Sequence, residues 1–207
     1  MSLVLRAHSA FELALDLLFP SFCIGCKKEG NFLCAECKRK IVIRRVPPRL
    51  KPPGVSRVYA ASHYADPLAS ELLKKLKYAG LKSLRVPCAE LLLSHLAHLG
   101  FAPPPHGVVA AVPLSAKRLR ERGFNQSKLI AQKIAHALSL PFAPGALART
   151  RHTAPQTEVE ERAKRLANVQ GVFACYNSGV VRGRSVLLVD DVMTTGATAH
   201  HCAKLLR

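Results

Sequence analysis

The chain has 207 residues, which is enough for one domain of ordinary size and a small additional module. Hydrophobic residues make up 49% and charged residues 21% of the sequence, a globular balance that excludes a disordered chain. Lys and Arg number 31 against 13 Asp and Glu, so the net charge is +18. This charge favours anionic partners such as phosphorylated metabolites, nucleic acid or acidic lipid headgroups, with a basic surface that has no partner as the alternative.

The sequence predicts neither a membrane span nor an export signal. No stretch of about 18 uncharged apolar residues occurs. The apolar run Ala10–Pro20 is interrupted by Glu12 and Asp16 and lacks a small-residue cleavage site, so we do not interpret it as a signal peptide. Because the seven cysteines are an odd number without an export signal, we expect a reducing compartment and a cytoplasmic protein.

The chain begins with a predicted amphipathic helix in the segment 1–22. Its helical pattern covers residues 3–19 and ends at Pro20, and its apolar face is formed by Leu5, Phe11, Leu15 and Leu18.

A predicted Cys₄ zinc-binding module follows at residues 23–45. Two CxxC knuckles are separated by seven residues, and their thiols are those of Cys23, Cys26, Cys34 and Cys37. This spacing lets four sulfurs meet at one tetrahedral Zn²⁺, and a closed Cys₄ site is structural rather than catalytic. A redox-active CxxC pair is the weaker alternative. The ribbon could dock on nucleic acid, or it could pack on the larger domain.

A Pro-rich linker is predicted at residues 46–56, from Pro47-Pro48 and Pro52-Pro53-Gly54. Module and linker together are strongly basic. Between Lys27 and Arg57 there are ten basic and two acidic residues, a local net charge of +8.

Residues 57–207 alternate between strand and helix patterns, which predicts an α/β domain with a parallel sheet flanked by helices. Strands are predicted at Val58–Ser62, Val108–Val112, Gly171–Cys175 and Val186–Val189. Helices are predicted at Pro67–Tyr78, Ala89–Leu99, around Leu129–Leu138 and at Ala197–Leu206. On the first of these helices Lys74, Lys75 and Lys77 fall on the predicted exposed face, and residues 149–168 are predicted to form a mobile loop.

The most specific segment runs from Val186 to Thr198. An apolar strand delivers Asp190 and Asp191 at its carboxyl end, where open α/β sheets bind ligands. A Thr-Thr-Gly-Ala-Thr turn then opens a helix, and its backbone N–H groups form an anion nest suited to a phosphate. The two carboxylates suit sugar hydroxyls or a hydrated Mg²⁺. The pattern therefore favours a sugar phosphate.

This segment closely resembles the phosphoribosyl pyrophosphate motif of type I phosphoribosyltransferases. Together with other motifs in the same order, it makes nearly the whole chain similar to the ComF family, which is linked to competence and DNA uptake. Those motifs are Phe22-Cys23-x2-Cys26, Leu73–Gly80 (LKKLKYAG), Val112-Pro113-Leu114, Arg118, Arg122-Gly123-Phe124-Asn125-Gln126, and Arg149, Gln156, Arg162, Asn168 and Phe173.

The resemblance implies a type I phosphoribosyltransferase-like fold and a role for each site residue. Asp190 and Asp191 would contact the ribose hydroxyls, and the 5′-phosphate would lie in the turn formed by Thr194, Thr195, Gly196, Ala197 and Thr198. The pyrophosphate loop would be Pro113–Arg118, including Leu114 and Ser115, with Arg118 and Arg122 as counter-charges. A flexible loop at 149–165 would close over the site, with Arg149, Arg151 and Gln156 as contacts.

Two functions remain open from the sequence. One is a Mg²⁺-dependent phosphoribosyltransferase that displaces pyrophosphate from phosphoribosyl pyrophosphate with an unknown nitrogen acceptor. The other is a basic, zinc-containing protein that handles single-stranded DNA with the competence machinery and keeps a non-catalytic pocket. The resemblance also implies a final strand and a hood-like segment after the last helix, and we expect the domain ending at Arg207 to lack them. The sequence leaves the oligomeric state open.

Overall fold

A computed structural model of the protein describes residues 20–150, 172–176 and 178–207. The described helices are α1 (Ala35–Lys40), α2 (Pro67–Tyr78), α3 (Arg85–His98), α4 (Ala116–Arg122), α5 (Gln126–Ala137), α6 (Ser178–Val181) and α7 (Ala197–Leu205), with a 3₁₀ turn at Lys82–Leu84. The described strands are β1 (Gly107–Ala111), β2 (Leu147–Arg149), β3 (Phe173–Cys175) and β4 (Ser185–Val189). The predicted N-terminal helix over 3–19 lies outside the described residues.

Helix α2 has clear local reasons to form where it does. Its N-cap is Asp66, whose Oδ1 accepts a hydrogen bond of 2.9 Å from the backbone N–H of Ala69, and Pro67 occupies the first turn. Leu72 and Leu76 recur at helical spacing and are almost completely buried. The helix matches its predicted bounds.

The parallel pairing predicted for the domain is present between β1 and β4. Gly107 pairs with Ser185 and Ala111 with Val189, so the two strands start and end together. One further bond, from the N–H of Val112 to the carbonyl of Val189, extends the pair at its carboxyl end. Asp190 therefore leaves the sheet beside the segment that follows β1.

Two sequence predictions about strands were incomplete or wrong. β2 and β3 form an antiparallel pair, which no pattern in the sequence predicted. Residues 58–62 form no strand. Their backbone bonds elsewhere, because the Ala61 carbonyl accepts from the N–H of Arg44 and the Ala60 N–H donates to Nε2 of His95. The segment thus binds irregular chain from the cysteine module and a buried histidine of α3.

The cysteine module packs against the larger region. Ile24 and Ile41 belong to the same buried apolar cluster as Leu72, Leu76 and Ile134. Lys38 of α1 forms an ion pair with Glu90 of α3. The module therefore shares the main hydrophobic core. This is the predicted alternative in which the module packs on the larger domain.

Asp66 ties the module to α2 a second time. Its Oδ2 accepts a 3.1 Å hydrogen bond from the backbone N–H of Val42, while Oδ1 caps the helix. One carboxylate therefore fixes both the start of α2 and the segment that leaves the module.

Among the described residues, no helix is both long and apolar enough to cross a lipid bilayer.

We predict that Asp66→Ala lowers the free energy of unfolding by about 1–2 kcal/mol, because it removes the N-cap and leaves the Val42 N–H without its acceptor. Asp66→Asn is the matched control, since its amide oxygen can still cap the helix. Urea denaturation followed by circular dichroism measures both variants. Equal stability of the alanine variant and the wild type would contradict this role.

Candidate functional site

Asp191 is held by two helices at the carboxyl edge of the parallel pair. Its Oδ1 lies 3.0 Å from Nζ of Lys77, at the end of α2. Its Oδ2 accepts a hydrogen bond from Nε2 of Gln126, in the first turn of α5. The Lys77 and Asp191 side chains are 16% and 9% exposed, so this ion pair is largely shielded from water. Both carboxylate oxygens of Asp191 are thus already engaged by the protein.

Asp190 has a different environment. Its Oδ1 accepts from Oγ of Ser127 at 3.1 Å and from the backbone N–H of Asp191 at 2.9 Å. Oδ2 accepts no hydrogen bond within the described part of the chain, and the residue remains exposed. Desolvation of the carboxyl group and the charge of Asp191 raise the pKa of Asp190 to about 7. Asp190 is therefore the member of the pair with an oxygen open to a ligand.

From the sequence no role was predicted for three residues of this site, although two of them lie within the family motifs. Lys77 was predicted on the exposed face of α2, but it turns to Asp191. Gln126 and Ser127 are only 2% and 1% exposed, and they start α5 next to the acidic pair. The available signal was the N-cap Asn125, which places the first turn of a helix here and whose Nδ2 also donates to the Val112 carbonyl at 2.9 Å.

The predicted phosphate turn is built as a helix N-terminus. Gly196 is the N-cap of α7 with a φ of +77°, and Ala197 begins the helix. The threonine hydroxyl of Thr195 accepts from the Ala197 N–H at 3.4 Å. The N–H groups of the first helical turn have no partner within an α-helix, and they are a general means of binding anions. Thr194 and Thr198 flank this turn, and Thr194 is exposed.

Gly196 is required by its packing as well as by its backbone conformation. A Cβ at this position would lie 2.4 Å from Cγ of Pro52, which is buried against it. The linker is held there by Nδ1 of His200, 2.8 Å from the Pro53 carbonyl oxygen. Close approach of the linker therefore requires a glycine at this position.

The predicted pyrophosphate loop is partly helical. Pro113 and Leu114 follow β1 as irregular chain, but Ser115 is the buried N-cap of α4, and its side chain accepts from the Arg118 N–H. Arg118 therefore lies on a helix and not in a loop, a correction that follows from the strong capping preference of serine.

Arg149 also differs from its predicted position. It ends strand β2 and does not start a loop, and its guanidinium carbon lies 5.4 Å from the centroid of the Phe173 ring. Burial and the nearby positive charge of Arg118 lower the pKa of Arg149, while Asp190 opposes that shift. The two guanidinium groups therefore lie close enough to repel each other, and an anion between them would relieve the repulsion.

Arg122 was predicted as a counter-charge, and the structure shows what engages it. Its Nη1 donates to Oε1 of Gln126 at 3.1 Å, and its guanidinium carbon lies 5.0 Å from the centroid of the Tyr78 ring. Arg122 thus supports the residue that holds Asp191. Arg151 and Gln156, and the predicted loop beyond Thr150, lie outside the described residues.

The four predicted zinc ligands are brought together. The Sγ atoms of Cys23, Cys26, Cys34 and Cys37 all lie within 4.8 Å of one another, and those of Cys26 and Cys34 are 3.7 Å apart. A tetrahedral site with Zn–S bonds of about 2.3 Å places its sulfurs roughly 3.8 Å apart. The cluster therefore has the donor set and the size to hold a zinc ion.

Local hydrogen bonds favour the metal-binding thiolate form of Cys23, but not that of Cys37. Burial alone would raise the pKa of Cys23, but backbone N–H groups of Cys34, Cys26 and Gly25 outweigh it and lower the pKa to about 6. Burial and the neighbouring thiols raise the pKa of Cys37 to about 12. Cys34 also caps α1, because its Sγ accepts from the Cys37 N–H at 3.4 Å. The backbone N–H of Cys34 donates to Sγ of Cys23 at 3.4 Å, which connects the second CxxC knuckle to the first.

Comparison with known proteins shows which family the chain belongs to. No protein-family model matches it. The DNA utilization protein YhgH of Escherichia coli strain K12 is 32% identical over 193 residues, which cover 90% of this chain and 82% of that relative. The chain belongs to the ComF family. The competence protein F of Haemophilus influenzae is 28% identical over 207 residues, covering 93% of this chain and 87% of that relative.

A third ComF-family relative matches a shorter segment. The competence protein ComFC of Bacillus subtilis is 32% identical over 104 residues, which cover half of this chain and 40% of that relative. The family resemblance predicted from the motifs is thereby confirmed.

In this ComF-family chain α2 connects two distant features, because its first turn meets the cysteine module and its last turn meets Asp191. Its 12 residues span roughly 18 Å.

We predict one zinc ion per chain in the purified protein and its loss in Cys26→Ser, because three thiolates hold the metal far less tightly than four. Cys26 is exposed, so this variant leaves the core intact. Cys175→Ser, at a cysteine outside the cluster, is the matched control and should retain the metal. Elemental analysis of the three proteins is the measurement, and full zinc content in Cys26→Ser would contradict the assignment.

The raised pKa of Asp190 predicts a pH-dependent stability. The folded protein retains the Asp190 proton above the ordinary carboxyl value of 3.8, while the unfolded chain releases it. Stability from this group is therefore complete below about 3.8 and is lost as the pH rises to about 7. The free energy of unfolding of Asp190→Asn, relative to wild type, should increase over that interval and then level off. A pH-independent difference in urea denaturation would show that the shift is absent.

Proposed function

We propose that this ComF-family protein binds phosphoribosyl pyrophosphate with Mg²⁺ at the carboxyl edge of the β1–β4 pair and transfers its phosphoribosyl group to a nitrogen acceptor. The observation that carries the proposal is the continuous segment 190–198, in which an acidic pair is followed by a helix N-terminus. A carboxylate suits ribose hydroxyls, and a helix N-terminus suits a phosphate.

The two carboxylates take different roles in this proposal. Asp191 is fixed by Lys77 and Gln126, so it positions its neighbour and neutralises the lysine. Asp190 turns its unengaged Oδ2 to the ligand, where it accepts from a ribose hydroxyl or contacts Mg²⁺. A carboxylate oxygen at an exposed position fits the preference of Mg²⁺ for oxygen ligands and retained waters.

Arg118 and Arg149 are the cations that the proposal assigns to the pyrophosphate. Burial and, after it, the positive charge of Arg118 lower the pKa of Arg149, and a polyanion between the two guanidinium groups would offset their repulsion. Guanidinium groups match phosphate oxygens in bidentate geometry. Arg122 is assigned to positioning, because Gln126 and Tyr78 already hold it.

The proposed reaction is a substitution at the anomeric carbon of the ribose. A nitrogen lone pair of the acceptor forms the new C–N bond while the C–O bond to pyrophosphate breaks. That electron pair leaves on the pyrophosphate oxygen, and the acceptor nitrogen loses its proton to solvent. Bound Mg²⁺ would supply electrostatic stabilisation of the leaving group. Arg118 and Arg149 would stabilise the same developing charge.

A second candidate function is the handling of single-stranded DNA. Eight of the ten basic residues between Lys27 and Arg57 are exposed, so the module and linker present a cationic surface. The relatives carry names of DNA utilization and competence proteins. We propose that the chain acts in DNA uptake, with this surface contacting the phosphate backbone; affinity that falls steeply with salt would support it.

Calorimetric titration with phosphoribosyl pyrophosphate in Mg²⁺ tests the first function. We expect saturable binding by wild-type protein and a loss of affinity of at least about tenfold in Asp190→Asn, which removes one charged hydrogen-bond acceptor. Glu121→Gln is the matched control, because Glu121 is an exposed acid on α4 whose carboxylate lies 4.0 Å from Lys117. Folded, zinc-loaded wild-type protein that fails to bind would refute the proposal.

A further inference from the structure

Tyr78 is an aromatic side chain that packing does not explain. It is the last residue of α2 and is 74% exposed. It belongs to none of the buried apolar clusters in the described part of the chain. Its neighbour Lys77 is the residue that binds Asp191, so the ring stands where α2 ends at the acidic pair.

Arg122 fixes a positive charge against this ring. Its guanidinium carbon lies 5.0 Å from the ring centroid, within the range of a cation–π contact. The same guanidinium donates to Oε1 of Gln126, whose Nε2 in turn donates to Asp191. Two further contacts therefore connect the exposed ring to the acidic pair, and both involve side chains that are held in place.

We infer that Tyr78, with Arg122 behind it, is a stacking platform for a planar heteroaromatic ring beside the acidic pair. An exposed tyrosine offers a large apolar face at a small cost in side-chain entropy, which is what stacking on a base requires. The adjacent guanidinium adds a planar cation that also stacks on aromatic rings.

The heteroaromatic ring that stacks on Tyr78 has two sources with the same chemistry. It can be the free nitrogen acceptor of the transfer reaction, an assignment that rests on the proposed function. It can equally be a base within a single strand of DNA, reached from the basic module. The stacking site itself is the same in both cases, and it is measured without phosphoribosyl pyrophosphate.

The chain contains no tryptophan, which makes a specific optical test possible. Tyr78→Trp places the only indole of the protein on the platform. We expect adenosine 5′-monophosphate to quench its fluorescence saturably, and ribose 5-phosphate, which has the same sugar and phosphate but no base, to leave it unchanged. Tyr176→Trp is the matched control, since Tyr176 is 71% exposed and follows β3, where its backbone N–H donates to the Ala146 carbonyl.

An affinity measurement on unlabelled variants complements the fluorescence. Calorimetry should show that Tyr78→Leu binds adenosine 5′-monophosphate about tenfold more weakly than wild type, because base stacking is lost. Tyr78→Phe should keep the wild-type affinity, since the ring remains. Equal affinity in Tyr78→Leu and wild type would overturn the inference.

The outcomes separate this inference from the proposed function. Quenching by the mononucleotide supports the platform with a free acceptor, and quenching by oligodeoxyadenylate alone supports it with a base in a strand. No quenching by either probe, or equal quenching by ribose 5-phosphate or in Tyr176→Trp, overturns it. Quenching at position 78 in a protein whose wild type fails to bind phosphoribosyl pyrophosphate leaves the platform standing and removes the transferase proposal.

Discussion

The ion pair between Lys77 and Asp191 organises the site, because it joins the end of α2 to the end of β4 at 3.0 Å. Two adjacent carboxylates repel each other, and one of them must be neutralised before the other can serve a ligand. Lys77 supplies that charge, and Gln126 fixes the second oxygen from α5. Asp190 keeps an open oxygen, and desolvation and the charge of Asp191 raise its pKa to about 7, although Lys77 opposes this rise. The chemistry of the pair therefore depends on residues contributed by two helices.

The cysteine module is packed into the same core as the helices that hold the acidic pair. Ile24 and Ile41 enter the main core, and Asp66 binds the chain leaving the module while it starts α2. Further along the chain, buried Pro52 of the linker packs on Gly196, at the start of α7. A metal held by the four thiols would thus support the start of α2 and, through the linker, the start of α7, although a closed site of this kind takes no part in any chemistry.

The strongest sequence patterns correctly predicted two features of the structure. The spacing of the cysteines gave the four-thiol cluster, and the apolar strand before Asp190 gave the parallel pair with the acidic residues at its edge. Lys77 could not be predicted, because helical periodicity places it on the polar face and only tertiary packing brings it to a carboxylate. β2 has three residues, too few for an alternation to show, whereas β3 lies within the predicted strand Gly171–Cys175 and only its antiparallel pairing was not predicted. Residues 58–62 have a strand-like sequence, but their backbone groups form hydrogen bonds with the module and with His95.

The packing of the linker on α7 has a consequence for folding during synthesis. His200 binds the carbonyl of Pro53 across 147 residues of sequence, and such distant contacts form late because the loop between them must close first. Ribosomes add roughly 5–20 residues per second, so the linker would wait roughly 7–30 seconds for its partner helix to be synthesised. During that interval Pro52 and Pro53 would be without their contacts to Gly196 and His200. The linker would therefore reach its final position only when synthesis of the described chain is nearly complete.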